Sequence, residues 1–121
     1  MQYIGIDIIE IARIRRARDT WGEKFLRKVY TEPELRLYRE KPSSLAARFA
    51  GKEAVIKAIG TETKGIRWKD IEILAEPGGQ PSIKLYGRAR TQARNRGLGK
   101  LAISLSHSRE YAIALVVGET R

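Results

Sequence analysis

Three side chains of this 121-residue chain have the types that a phosphate-handling site would need: Asp7, Glu53 and Lys57. Two carboxylates without cysteine or histidine partners suit a hard cation such as Mg²⁺, which keeps several waters and completes its shell with substrate phosphate oxygens. A lysine beside them adds positive charge where phosphate charge develops. Together they form the minimum set for metal-assisted phosphoryl-type transfer. The chain has no cysteine and one histidine, so disulfides, thiolate metal sites and an ordinary zinc site are excluded. Each residue also has a plainer reading. Glu53 and Lys57, one helical turn apart, could form a surface i,i+4 pair contributing about 0.2–0.5 kcal/mol. Asp7, just after Gly5, could end a strand or cap a helix. Spacing alone leaves both readings open.

The element that must carry Glu53 and Lys57 runs through Arg48-Phe49-Ala50-Gly51-Lys52-Glu53-Ala54-Val55-Ile56-Lys57-Ala58-Ile59-Gly60. It reads as a helix capped by Ser43 or Ser44 and ended by Gly60. At about 100° per residue it presents a bulky stripe of Leu45, Phe49, Ile56 and Ile59. A second stripe of small residues, Ala47, Ala50, Gly51, Ala54 and Ala58, invites another backbone to approach closely. Glu53 and Lys57 lie where the two surfaces meet. A helix apolar over most of its circumference is buried, and charges on it need partners.

Asp7 belongs to Tyr3–Ile9, a β-branched run that reads as a short, largely buried strand. From Glu10 the pattern turns helical through Ile11 and Ile14, with Arg13, Arg15, Arg16 and Arg18 crowded beside it. These arginines are either a solvated face or a docking surface. Gly22 breaks this helix, and Phe25, Leu26 and Val29 mark another. Thr31-Glu32-Pro33-Glu34 has capping-box spacing and starts a helix that stops before Pro42. After a polar loop from Thr61 to Arg67, Trp68–Leu74 alternates as a strand. It turns at residues 76–81 and returns through Ile83, Leu85 and Tyr86. Gly87–Arg96 suits a helix with Ala89 and Ala93 inward. Leu101–Ser106 and Tyr111–Val117 form a second hairpin. The fold class is α+β, helices packed on a small antiparallel sheet, as one domain over residues 1–121.

The net charge of +10 attracts nucleic acid, an anionic membrane, a phosphorylated ligand or an acidic protein. No apolar run is long enough to span a bilayer, and the N-terminus lacks a signal-peptide pattern, so the expectation is a cytoplasmic protein without a membrane partner. A nucleic-acid-binding domain is the rival reading, resting on fifteen arginines, two tryptophans and five tyrosines. Its aromatics are not clustered as a stacking platform, and it gives no reason for Glu53 on the central helix. The expectation is therefore no nucleic-acid partner.

The chain resembles the holo-acyl-carrier-protein synthases, the small bacterial type of 4′-phosphopantetheinyl transferase. Ile4-Gly5-Ile6-Asp7-Ile8-Ile9-Glu10-Ile11-Ala12-Arg13-Ile14 is similar to that family's first motif. Arg48-Phe49-Ala50-Gly51-Lys52-Glu53-Ala54-Val55-Ile56-Lys57-Ala58 is similar to the second, nearly residue for residue. Trp68–Ile73, Gly79-Gln80-Pro81 and Ser104-Leu105-Ser106-His107 follow in the family's order. The resemblance implies transfer of phosphopantetheine from coenzyme A to a serine of apo acyl carrier protein. Adenosine 3′,5′-bisphosphate is released, and the reaction supports fatty acid biosynthesis. It implies that Asp7 and Glu53 hold Mg²⁺, that Glu53 and Lys57 are catalytic, and that Arg48, Lys57 and His107 contact coenzyme A. Arg13, with Arg16 beside it, would face the carrier protein. The family is typically a homotrimer with active sites between subunits, which would account for the small-residue stripe. Two positions depart from the family pattern. Glu62 stands where relatives often have glycine, and Gln80 where many have a basic residue. The leaving phosphate has a relevant pKa of about 6, so Lys57 is expected to act as a fixed charge and not as a proton donor. For the base, the preferred candidate is a metal-bound water positioned by Glu53.

Overall fold

The structure, a computed structural model, describes residues 1–60 and 65–121. The chain runs β1 (Gln2–Glu10), α1 (Ile11–Trp21), α2 (Glu23–Val29), α3 (Glu32–Tyr38), α4 (Pro42–Ile59), β2 (Ile71–Ala75), β3 (Pro81–Leu85), α5 (Gly87–Asn95), β4 (Leu98–His107) and β5 (Tyr111–Thr120). The expected α+β arrangement is present. Glu62 and most of the expected polar loop lie outside the described residues.

The central helix α4 begins ahead of the expected cap at Ser43 or Ser44. Pro42 occupies its first turn, Lys41 is the N-cap, and no side chain caps the start. Proline's fixed φ and missing N–H suit that position better than a serine cap one or two residues further on. The helix ends as expected at Gly60, whose φ of 123° few other residues adopt and whose N–H donates to the Ile56 carbonyl.

Strands β1, β5 and β4 form one antiparallel sheet in that order, while β2 and β3 form a separate hairpin. The N-terminal strand is thus paired along its whole length with the C-terminal one, Asp7 opposite Ala114. Helix α4 crosses the inner face of this sheet. The crossing is close because Gly5 faces it: a Cβ there would overlap the Ala54 carbonyl oxygen and lie 2.9 Å from the Ala58 nitrogen. The small-residue stripe is therefore filled by the chain's own strands, β1 at Ala54 and Ala58 and the side chains of Ile73, Ile103 and Leu105 at Gly51, and a partner subunit is not needed to account for it.

Strand β1 is less buried than its composition suggests. Gly5 and Ile9 are buried, whereas Ile4, Ile6 and Ile8 on the opposite face are 53–60% exposed. Only one face of a strand can meet α4, and the other is equally apolar. The expected strand at Trp68 also starts later. Trp68–Asp70 is a 3₁₀ turn, closed by the Asp70 carboxylate accepting the Arg67 backbone N–H at 3.0 Å, and β2 begins at Ile71. The side-chain cap offers the backbone an alternative to the strand ladder. The buried core runs from Ile11, Ile14 and Leu26 through Leu45, Val55 and Ile59 of α4 to Ile71, Ile73 and Val116.

Candidate active site

Asp7 stands in the middle of β1, two residues beyond the Gly5 crossing and on the same face of the strand. It caps no helix. Its Oδ1 accepts a hydrogen bond from Lys57 Nζ at 2.9 Å, and the same ammonium donates to the Ile6 carbonyl at 2.9 Å. The ion pair of Lys57 is therefore with Asp7, across two elements, and not with Glu53 one turn earlier on its own helix. The Lys57 side chain is half exposed and Asp7 is mostly covered, so the pair lies at the edge of the α4–β1 seam.

Glu53 finds a different partner. Its Oε1 accepts from the indole Nε1–H of Trp68 at 2.9 Å. Asp7 Oδ2 and Glu53 Oε2 have no hydrogen-bond donor among the described residues. This donor set suits a hard cation: two carboxylates, each with one oxygen committed and one available, beside an exposed seam. No cluster of three or more acidic, His or Cys side chains exists among the described residues, so a protein cage for a metal is absent. Mg²⁺ characteristically needs only one or two carboxylates plus substrate oxygens and waters. A cavity of about 330 Å³ adjoins Glu53, walled by Ile56, Ile66 and Trp68 with Lys28 and Arg67 at its rim.

The other candidate residues stand apart. Arg48 is nine residues before Lys57, hence about 13.5 Å along α4 and on its opposite side. Its guanidinium lies 3.9 Å from the Tyr38 ring centroid, and it donates to the Tyr38 hydroxyl at 2.9 Å and to the Ile73 carbonyl at 3.3 Å. His107 ends β4, exposed, opposite Ala112, with β5 between it and β1. Arg13 and Arg16 are exposed on α1 and line a shallow depression with Ala17, Thr20 and Trp21. One chain thus pairs Asp7 with Lys57, with Glu53 one helical turn before the lysine, and leaves Arg48 and His107 elsewhere.

One residue of this region escapes the sequence reading. Lys52 is wholly buried, as is Glu34. Its ammonium donates to Glu34 Oε1 at 2.8 Å, to the Trp68 carbonyl at 3.1 Å and to the Ile71 carbonyl. Glu34 in turn accepts the backbone N–H groups of Thr31 and Ile73, each at 2.8 Å. The expected capping-box glutamate therefore also anchors β2. Burial pushes the Lys52 ammonium below the usual lysine range, and the Glu34 carboxylate opposes that shift. The rule that charges on a nearly all-apolar helix need partners applies to Lys52 more strongly than to Glu53 or Lys57.

Helix α4 is laid on a three-stranded antiparallel sheet, with Asp7 of β1 paired to Lys57 of the helix and Glu53 one turn before that lysine. The chain belongs to the 4′-phosphopantetheinyl transferase superfamily, whose family model matches residues 3–116. It is 50% identical over 119 residues to the holo-(acyl-carrier-protein) synthase of a Dehalococcoides mccartyi strain, covering 98% of this chain and 99% of the relative. It is 52% identical over 122 residues to the synthase of the same name from Chlamydia felis, covering 97% and 96%. Among solved structures, the Helicobacter pylori holo-(acyl-carrier-protein) synthase in complex with coenzyme A superimposes with a TM-score of 0.84 at 36% identity, over 96% of this chain and 99% of that one. The Neisseria meningitidis synthase gives 0.88 at 31% identity, over 98% of both chains.

Proposed function

We propose that this chain transfers the 4′-phosphopantetheine of coenzyme A to a serine of apo acyl carrier protein, in support of fatty acid biosynthesis. The observation that carries the reading is the Asp7–Lys57 ion pair at an exposed seam, one helical turn from Glu53, in a chain half identical to a holo-(acyl-carrier-protein) synthase. The serine oxygen forms a bond to the β-phosphorus, the bond to adenosine 3′,5′-bisphosphate breaks, and the serine gives up its proton. Asp7 and Glu53 would hold a Mg²⁺ ion, which when bound supplies charge neutralisation at the pyrophosphate. Lys57, its ammonium on Asp7 and the Ile6 carbonyl, adds a positive charge that needs no relocation during transfer. It need not give up a proton, because the departing phosphate has a relevant pKa of about 6.

We place the active site between copies of the chain, in a homotrimer. Arg48 and Lys57 project from opposite sides of α4, an arrangement that suits a coenzyme A held by Arg48 of one copy and Lys57 of another. A surface suited to self-association is available. Ile4, Ile6 and Ile8 pair across the sheet with Val117, Leu115 and Ile113, and five of these six side chains are exposed. An antiparallel sheet with one face in water alternates apolar with polar residues, and this one is apolar on both. No helix among the described residues is long and apolar enough to cross a membrane, and the chain lacks cysteine, in keeping with a cytoplasmic enzyme.

Coenzyme A with Mg²⁺ should raise the melting temperature well beyond the rise given by an oligonucleotide at equal concentration. The reverse order would favour a nucleic-acid-binding domain.

A further inference from the structure

We infer that Trp68 is a positioning residue for the Glu53 carboxylate, and that the buried Lys52–Glu34 pair acts on the site through it. This rests on the reading of Glu53 as a metal ligand. The chain of contacts is short and every link is a hydrogen bond. Glu34 is held at both oxygens by backbone N–H groups and by Lys52. Lys52 spends its remaining donors on the carbonyls of Trp68 and Ile71, the first residue of the 3₁₀ turn and the first of β2. Those bonds press the turn against α4. The indole then lies over Phe49, ring centroids 5.7 Å apart, with its N–H aimed at Glu53 Oε1.

Lys52 and Glu53 are adjacent on α4, so their side chains leave the helix about 100° apart. Lys52 enters the interior while Glu53 reaches the cavity beside Trp68, and Trp68 joins them from outside the helix. A glutamate has three side-chain torsions, and a carboxylate waiting for a metal loses affinity if it must first be ordered. The indole donor fixes one oxygen and leaves Oε2 without a donor among the described residues. Such a partner, one shell beyond the metal, typically changes metal affinity 10–100-fold when removed. An aromatic ring alone would pack against Phe49 and Ile56 equally well, so the N–H is the part that positions.

The test is direct binding of Mn²⁺, followed by electron paramagnetic resonance in the presence of coenzyme A, together with the melting temperature. Trp68→Phe keeps the ring and removes the donor, and should weaken Mn²⁺ binding about 10-fold. Phe49→Leu loosens the packing of the indole but keeps its N–H, and should leave Mn²⁺ affinity within about 2-fold of wild type. Equal weakening in both variants, or wild-type affinity in Trp68→Phe, overturns the inference. Glu53→Gln is the control for the underlying reading: if it binds Mn²⁺ like wild type, Glu53 is not a ligand, and that failure is separate from one of Trp68. Should Trp68→Phe not fold, the folded Trp21→Phe protein leaves Trp68 as the sole indole. Its emission should then change saturably as Mn²⁺ is added with coenzyme A, and an unchanged emission contradicts the assignment.

Discussion

Lys57 and Asp7, fifty residues apart, are joined by one ion pair in which Nζ lies 2.9 Å from Oδ1. The lysine comes from the last turns of α4 and the aspartate from the middle of β1, so the pair forms only once the helix has crossed the sheet at Gly5. In the absence of ligand the ammonium compensates the carboxylate.

On the proposed reading Lys57 acts as a fixed charge. Lys57→Arg should retain appreciable activity, whereas Lys57→Met should lose about 10²–10³ in kcat. The pH–rate profile should carry no alkaline limb that disappears in the arginine variant. Such a limb in wild type alone would show that Lys57 donates a proton.

Lys52 predicts a stability effect of another order. Lys52→Met strands the Glu34 carboxylate in the interior and should cost about 3–5 kcal/mol. The double variant Lys52→Met/Glu34→Leu removes both charges and should recover part of the loss. It will not recover all of it, because the Ile73 and Thr31 N–H groups lose their acceptor. Urea denaturation of the three proteins measures this. A double variant less stable than Lys52→Met would contradict it.

Tyr30 contributes to the pH dependence of stability in the alkaline range. Its hydroxyl donates to the Leu45 carbonyl at 2.7 Å, and burial, reinforced by the Glu34 carboxylate, pushes its pKa well above the usual 10.0. Above pH 10 the unfolded chain releases this proton and the folded one keeps it. The hydroxyl therefore favours the folded state below pH 10, and that contribution falls as pH rises, by up to about 1.4 kcal/mol per unit. Lys52 works in the opposite sense, its lowered pKa making stability rise with pH up to its ordinary 10.5. Tyr30→Phe should be less stable at neutral pH by the lost hydrogen bond, about 1 kcal/mol, yet decline less steeply above pH 10. Parallel curves for the two proteins would refute the assignment.

On the proposed reading the basic face of α1 meets the protein partner. Coenzyme A is a small anion handled inside the cleft, whereas carrier proteins of this kind are acidic. Exposed charge pairs contribute only about 0–1 kcal/mol each, so several must act together. Arg13→Glu, and more mildly Arg16→Glu, should raise KM for carrier protein but not for coenzyme A. Added salt should weaken the wild type more than the variant. A rise in KM for coenzyme A instead would assign Arg13 to the nucleotide pocket.

Elements with a local code were legible in the chain itself. Gly22 and Gly60 ended helices, the Thr31–Glu34 box began one, and the period of α4 exposed its small-residue stripe. The burial of Lys52 was not legible, because its partners come from α3, the 3₁₀ turn and β2, and no local spacing relates them. Trp68 misled for a similar reason. Its run alternates like a strand, but Asp70 closes a turn through a backbone contact that hydrophobic pattern does not register. The stripe itself was seen, and its occupant was not: pairing of β1 with β5 is the longest-range contact in the sheet, and it is what brings Gly5 onto Ala54.

The central claim is that the Asp7–Glu53–Lys57 seam moves phosphopantetheine. Its most direct measurement is the mass of apo acyl carrier protein after incubation with this protein, coenzyme A and Mg²⁺. The account predicts a gain equal to one phosphopantetheine on the carrier, abolished by chelator and by Asp7→Asn or Glu53→Gln in folded protein. A carrier of unchanged mass with the wild type, or an undiminished gain with either variant at low Mg²⁺, would contradict it.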